Sequence, residues 1–331
     1  MAENINTSSG RSLIVPRATL LRNGTKPSAP ESKRNGTIEF LRVVAACAVI
    51  WFHFENAPYR RAAYAGLVYF LIISVVFQKG PTERMDWLGY LKKRGTRLLI
   101  PWIAWFAFYG LTNIVIGKRL FPASSGILAD ALTGPWIGLW YLPFSFVSAV
   151  GVYALQRGLG PANHRFRFIF YFSISLISLI AVSMIRASFT LATPWSQWLQ
   201  ATPSIPIGLA LTYASEERQR SVLHHLALLQ LAIIITCAWV YPFDPGMALS
   251  YGIGSSFVSL GLFHQSTPFP PVAKLAPLCL GAYLIHGWVM SSFKLIPWVT
   301  RHLGAWFILT TVVSFIAAAL LKRTTILKLF I

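Results

Sequence analysis

The stretch Ile38-Glu39-Phe40-Leu41-Arg42-Val43-Val44-Ala45-Ala46-Cys47-Ala48-Val49-Ile50-Trp51-Phe52-His53 decides how the rest of the chain is read. Between Phe40 and Phe52 only Arg42 carries a full charge. A run this apolar reads as a helix crossing a bilayer, which takes about 20 residues. Arg42 and His53 are eleven residues apart. At 100° per residue that closes three turns with about 20° to spare, so both side chains fall on one helix face about 16 Å apart. Glu39 precedes Arg42 by three residues and can pair with it. Ionisable groups inside a span are costly and are functional suspects by default. Arg42 can snorkel to headgroups, whereas a histidine deep in an apolar helix offers a general base near neutral pH.

Working outward, nine further apolar runs follow the first (39–57): 62–78, 98–117, 136–155, 168–186, 203–215, 223–241, 247–263, 275–293 and 305–321. The sixth run of the ten is short and begins among Pro203 and Pro206. The expected fold class is therefore an all-α polytopic integral membrane protein with about ten transmembrane helices; eight would keep the same sidedness. Composition agrees. The chain has 331 residues, 55% hydrophobic and 12% charged, where a soluble domain carries about 25% charged residues. The formal charge of +19 needs no nucleic acid. Alternating the loops between two sides puts 22 of the 29 Lys and Arg on the side of the N-terminus. The other seven are Arg60, Arg61, Lys118, Arg119, Arg186, Lys294 and Arg301. By the positive-inside rule both termini are expected in the cytoplasm.

Residues 1–38 are polar and basic, read as a disordered cytoplasmic tail with no secretory signal, and hold Asn-x-Ser/Thr triplets at Asn6, Asn23 and Asn35. The membrane domain is expected over 39–321 and a short cytoplasmic tail over 322–331. Neither a soluble domain nor an internal repeat is read. Three cysteines, Cys47, Cys237 and Cys279, lie in apolar runs. No His/Cys/Asp/Glu grouping has metal spacing, and phosphate-loop, Gly-x-Ser-x-Gly and His-Glu-x-x-His motifs are missing. We expect no metal and no permanently bound cofactor.

Three more segments stand out. Lys92-Lys93-Arg94-Gly95-Thr96-Arg97 precedes Leu98-Leu99-Ile100-Pro101. Lys92, Lys93 and Arg94 fit a topological anchor, but Arg94 and Arg97, three apart at a helix start, can face one anion, and Arg suits bidentate phosphate contact. Pro135-Trp136-Ile137-Gly138-Leu139-Trp140-Tyr141-Leu142-Pro143 reads as an interfacial aromatic belt. Leu278-Cys279-Leu280-Gly281-Ala282-Tyr283-Leu284-Ile285-His286 puts His286 near mid-bilayer.

In order, these pieces resemble the acyltransferase 3 family, polytopic bacterial membrane proteins that O-acylate cell-surface glycans and related molecules. The resemblance covers nearly all the chain after residue 38. Glu39, Arg42 and His53 are similar to the family's acidic-x-x-Arg start and its Arg-x10-His. Arg94, Arg97 and Pro101 are similar to its Arg-x-x-Arg before Leu-Pro. Leu139-Trp140-Tyr141-Leu142 and Gly281 to His286 are similar to its Trp-Phe-Leu segment and its late Ser-Tyr-x-x-Tyr-Leu-x-His helix. There are departures: Val75 stands where the family usually has Gly, Val43 where Gly is common, and Cys279 and Gly281 replace a Ser-Tyr pair.

The resemblance implies a cytoplasmic acyl-CoA donor, acetyl first and succinyl next. It implies a sugar hydroxyl acceptor on a surface polysaccharide, an exopolysaccharide or a lipid-linked precursor, in a bacterial inner membrane. On that reading Arg42, Arg94 and Arg97 bind the CoA phosphates, and the thioester arm runs along the first span to His53. His53 is general base or transient acyl carrier, and His286 a second acid/base or an orienting group. Glu55, two residues from His53, faces elsewhere and activates nothing. The competing readings are a glycan or lipid-intermediate transporter or flippase, without the inverted repeat or paired broken helices such proteins show, and an inactive membrane subunit.

Overall fold

A computed structural model describes residues 34–78, 85–121, 126–160, 163–216 and 220–324. Of the expected tails, 1–38 and 322–331, residues 1–33 and 325–331 lie outside the described residues. Every regular element among the described residues is helical. In chain order these are α1 (Gly36–Phe52), α2 (Arg60–Ala63), α3 (Ala65–Val76), α4 (Trp87–Val115), α5 (Ile127–Thr133), α6 (Tyr141–Gly158), α7 (His164–Ser188), α8 (Trp195–Ala201), α9 (Ser204–Glu216), α10 (Arg220–Val240), α11 (Pro245–Phe263), α12 (Pro270–Leu275), α13 (Cys279–Phe293), α14 (Pro297–Arg301) and α15 (Leu303–Arg323). Short 3-10 turns, Ile137–Trp140 and Ala276–Leu278, lead directly into α6 and α13.

Each of the ten expected spans coincides with a helix, but they differ in kind. Among the described residues seven are long and apolar enough to cross a membrane: Trp87–Val115, Ile137–Gly158, His164–Ser188, Ser221–Val240, Pro245–Phe263, Pro270–Phe293 and Leu303–Arg323. The other three, α1, α3 and α9, have 17, 12 and 13 residues. Twelve residues rise about 18 Å, well short of a hydrocarbon core of about 30 Å. Of these, α3 and α9 are interior pieces. All of α3 except Phe70 and Ser74 is buried, as a helix apolar on every side should be.

Around α3 pack α1, α6, α9 and α11. Small residues let the backbones approach. A Cβ placed on Gly254 of α11 would lie 2.9 Å from Val68, and one on Gly208 of α9 would lie 2.6 Å from Val75. The bulk that Val75 brings is thus accommodated by a glycine on the facing helix. Outside this core, Ile177, Leu228, Leu231, Ile235, Ile308, Ile316 and Leu320 of α7, α10 and α15 are exposed, an apolar rim suited to lipid.

Polar ties hold helices together where water is scarce. Gln230 Nε2 donates to Ser256 Oγ at 2.7 Å and Gln230 Oε1 accepts from Ser259 Oγ at 2.8 Å, joining α10 to α11. Arg186 and Asp244 form an ion pair at 2.7 Å between α7 and the start of α11. The first turn of α1 includes residues 36–38, which the sequence reading assigned to the tail. Asn35 caps it, its side-chain oxygen accepting from Thr37 N at 3.0 Å while Nδ2 donates to the Gly261 carbonyl at 2.7 Å.

Candidate active site

α1 is the spine of the site. It runs unbroken from Gly36 to Phe52, and His53 is its C-cap, so the eleven-residue spacing to Arg42 is realised on one continuous helix. Near the N-terminal end, Glu39 Oε1 lies 3.6 Å from Arg42 Nη1. Glu39 is 9% exposed, and its second carboxylate oxygen has no hydrogen-bond partner among the described residues. Half of this carboxylate is therefore available to another donor.

The two arginines of the next cluster sit on α4, a 29-residue helix with Pro101 inside it. Proline has no N–H, so the Arg97 carbonyl four residues earlier loses its helical donor. Arg94 lies over the Tyr90 ring, 5.4 Å from its centre. Arg97 is within electrostatic range of Arg94, Arg42 and Tyr141. Lys92 and Lys93 are exposed. Arg97 is thus the residue that links Arg94, one turn earlier on α4, with Arg42 of α1 and Tyr141 of α6. Three guanidiniums, only one of them facing a carboxylate, make a place for a multiply charged anion.

At the other end of α1, the His53 ring centre lies 4.8 Å from that of His286. His286, on α13, is fully buried. Its Nδ1 hydrogen-bonds the Tyr283 carbonyl, three residues earlier in the same helix. A carbonyl can only accept, so the hydrogen is on Nδ1 and the neutral ring keeps its lone pair on Nε2. That Nε2 is buried with no partner among the described residues. The Tyr283 hydroxyl donates to the Gly138 carbonyl at 2.5 Å, and the Tyr141 and Tyr283 rings are 5.5 Å apart. Tyrosines thus join the arginine end to the histidine end: Tyr141, then Tyr283, then His286, whose ring is 5.7 Å from Tyr283.

Trp136, read from the sequence as part of an aromatic belt, lies beside both histidines. Its ring lies 5.8 Å from His53 and 5.1 Å from His286, and it stacks on Tyr109 at 5.1 Å. Gly134 just before it has φ +74°, a conformation glycine enters without penalty, so the chain can turn in ahead of Trp136. Space for the indole comes from two more glycines. A Cβ on Gly287 would lie 2.5 Å from the ring, and one on Gly138 would also overlap it. The Tyr109 hydroxyl fastens the assembly, donating to the Leu284 carbonyl at 2.8 Å and accepting from Trp288 N at 3.2 Å. The available signal was the glycine two residues after Trp136 and the one directly after His286. Each is uninformative until α6 and α13 are known to meet.

Neither histidine has a carboxylate partner among the described residues; Glu55 is exposed. No group of three His, Cys, Asp or Glu among the described residues is placed to hold a metal ion. A family model described as an acyltransferase domain, Acyl_transf_3, matches residues 35–323. No curated protein and no solved structure matches the chain.

Proposed function

The chain belongs to the acyltransferase 3 family, membrane enzymes that transfer acyl groups other than aminoacyl groups, and on that premise we propose that it moves an acyl group from acyl-CoA to a sugar hydroxyl. Acetyl is the first choice of group and succinyl the second. The acceptor is a surface polysaccharide, an exopolysaccharide or its lipid-linked precursor, and the enzyme works in a bacterial inner membrane.

The observation that carries this reading is the opposition of two groups at the ends of α1. Arg97, within electrostatic range of both Arg42 and Arg94, marks one end, and the His53–His286 pair stands at the other. A CoA has the same polarity, with phosphates at one end and a thioester at the other. Its phosphates dock on the three arginines and its arm extends past Tyr141 and Tyr283 toward the histidines. His53, half-buried, accepts the proton of the acceptor hydroxyl as that oxygen attacks the thioester carbonyl. The C–O bond forms and the C–S bond breaks. The proton passes from His53 to the departing thiolate, which leaves as CoA. His286, its hydrogen held on Nδ1, presents Nε2 as an acceptor beside His53 and helps carry the imidazolium charge. Proton transfer of this kind contributes on the order of 10²- to 10⁴-fold.

The test is chemical. Surface glycan from a deletion strain, and from strains restored with wild type or His53→Ala, is analysed for ester-linked acetyl and succinyl. Esters restored by wild type alone, with both proteins present in the membrane, support the reading. Esters restored by His53→Ala remove His53 from the reaction. Esters unchanged by deletion, with glycan export lost, point to transport.

A further inference from the structure

Arg60 opens α2, just past the histidine end of α1. Its guanidinium is held in place twice by one residue: Nε donates to the Phe52 carbonyl at 2.7 Å, and Cζ lies 4.9 Å from the centre of the Phe52 ring. Neither contact neutralises its charge. Among the described residues no carboxylate reaches ion-pair distance of Arg60, and Glu55, close in sequence, is exposed. Arg186, by contrast, is paired with Asp244.

A second observation falls on the same ring. Tyr64 is 8% exposed and packs edge-on against Phe52 with ring centres 4.9 Å apart. Its hydroxyl has no hydrogen-bond partner among the described residues, a costly state for a buried polar group. Tyr64 is also within electrostatic range of Tyr283, and Arg60 within that of His53, which follows Phe52 directly. An uncompensated guanidinium and a tyrosine with an unsatisfied hydroxyl thus both pack on the Phe52 ring next to the histidine pair, at the end of α1 away from the three arginines.

From this juxtaposition we propose that the acceptor is an acidic saccharide whose anionic group docks on Arg60. A sugar hydroxyl hydrogen-bonds Tyr64, the ring lies against Phe52, and the hydroxyl to be acylated comes to His53. The inference rests on the acyl-transfer reading above and adds the acceptor's charge to it. Carboxylate and phosphate share the required chemistry, since both accept the planar guanidinium fork.

Purified enzyme in detergent is given radiolabelled acetyl-CoA and one of three acceptors: p-nitrophenyl β-glucoside, the β-glucuronide, or the glucoside 6-phosphate. Wild type should favour at least one acidic acceptor over the glucoside by about tenfold in kcat/KM, the worth of one charge-assisted hydrogen bond. Which acidic arm responds separates carboxylate from phosphate. Arg60→Gln should bring the acidic-to-neutral ratio close to one, and Arg60→Lys should keep part of it. Equal use of all three acceptors by wild type overturns the proposal while leaving acyl transfer to sugars intact. So does a preference that survives in Arg60→Gln. Consumption of acetyl-CoA with transfer to none of the three overturns both this inference and the saccharide acceptor. The wild-type comparison needs no variant to fold.

Discussion

His286 spends its Nδ1 hydrogen on the backbone carbonyl of Tyr283, in its own helix. A single backbone contact thereby fixes the tautomer of a buried imidazole that has no carboxylate partner among the described residues, and leaves Nε2 as an acceptor beside His53. This work usually falls to an aspartate or glutamate; here an i−3 carbonyl within the helix performs it.

If the two imidazoles act as a unit, their losses should not add. His53→Ala and His286→Ala are each expected to lower kcat by on the order of 10²- to 10⁴-fold, and the double variant little further. Initial rates of radiolabelled acetyl transfer at saturating acetyl-CoA measure this. Full multiplication of the two effects would show that the residues serve separate steps.

Gly287→Ala should misplace Trp136 and with it both histidines. The new methyl would stand 2.5 Å from the indole, and displacements of about 1 Å near reacting atoms can cost 10²-fold. Trp136→Leu in the Gly287→Ala background removes the colliding ring atoms and should recover part of the rate. Thermal unfolding in detergent, run in parallel, separates lost positioning from lost fold.

Arg94→Ala combined with Arg97→Ala should raise KM for acetyl-CoA by about 10- to 100-fold, as expected for lost charge-assisted contacts. The same variant should treat S-acetyl pantetheine, which lacks the phosphates, nearly as wild type does. An equal rise in KM for both donors would reduce these arginines to topological anchors.

Gly208→Ala should destabilise the bundle by about 1–3 kcal/mol, the usual cost of overpacking a filled core, because its methyl would meet Val75 at 2.6 Å. Val75→Gly in the same chain, which removes the Cβ and Cγ1 that the methyl meets, should restore part of the loss. Unfolding midpoints of the four proteins in one detergent form the double-mutant cycle that checks this coupling.

What could be read along the chain was whatever a single helix decides. Arg42 and His53 share a face because 3.6 residues per turn fixes it, and α1 realises that spacing. Arg94 and Arg97 were legible as a pair for the same reason. Trp136 was not, since its neighbours come from α1 and α13, far off in sequence, and an aromatic beside a proline looks alike at a headgroup or in a core. Hydropathy likewise located α3 but not its depth. An apolar run reads the same whether lipid or protein surrounds it, and α3, at 12 residues, is surrounded by protein. Tyr64 and Arg60 were invisible for the opposite reason: what marks them is a missing partner, which only coordinates reveal.

The cap on α1 also settles the chemical fate of one surface address. Asn35-Gly36-Thr37 spells an acceptor triplet for N-linked glycan. The amide nitrogen on which such a glycan is built, however, already donates to the Gly261 carbonyl, while the amide oxygen holds the first turn of the helix. A sugar there would leave the amide oxygen and one amide hydrogen in place but would add its bulk where the beginning of α1 meets the end of α11. Once the chain has folded, this triplet is silent whichever compartment it faces. A glycan recovered from Asn35 in a eukaryotic expression host would mark molecules modified before α1 had docked, and so would serve as a tag for chains that missed their fold.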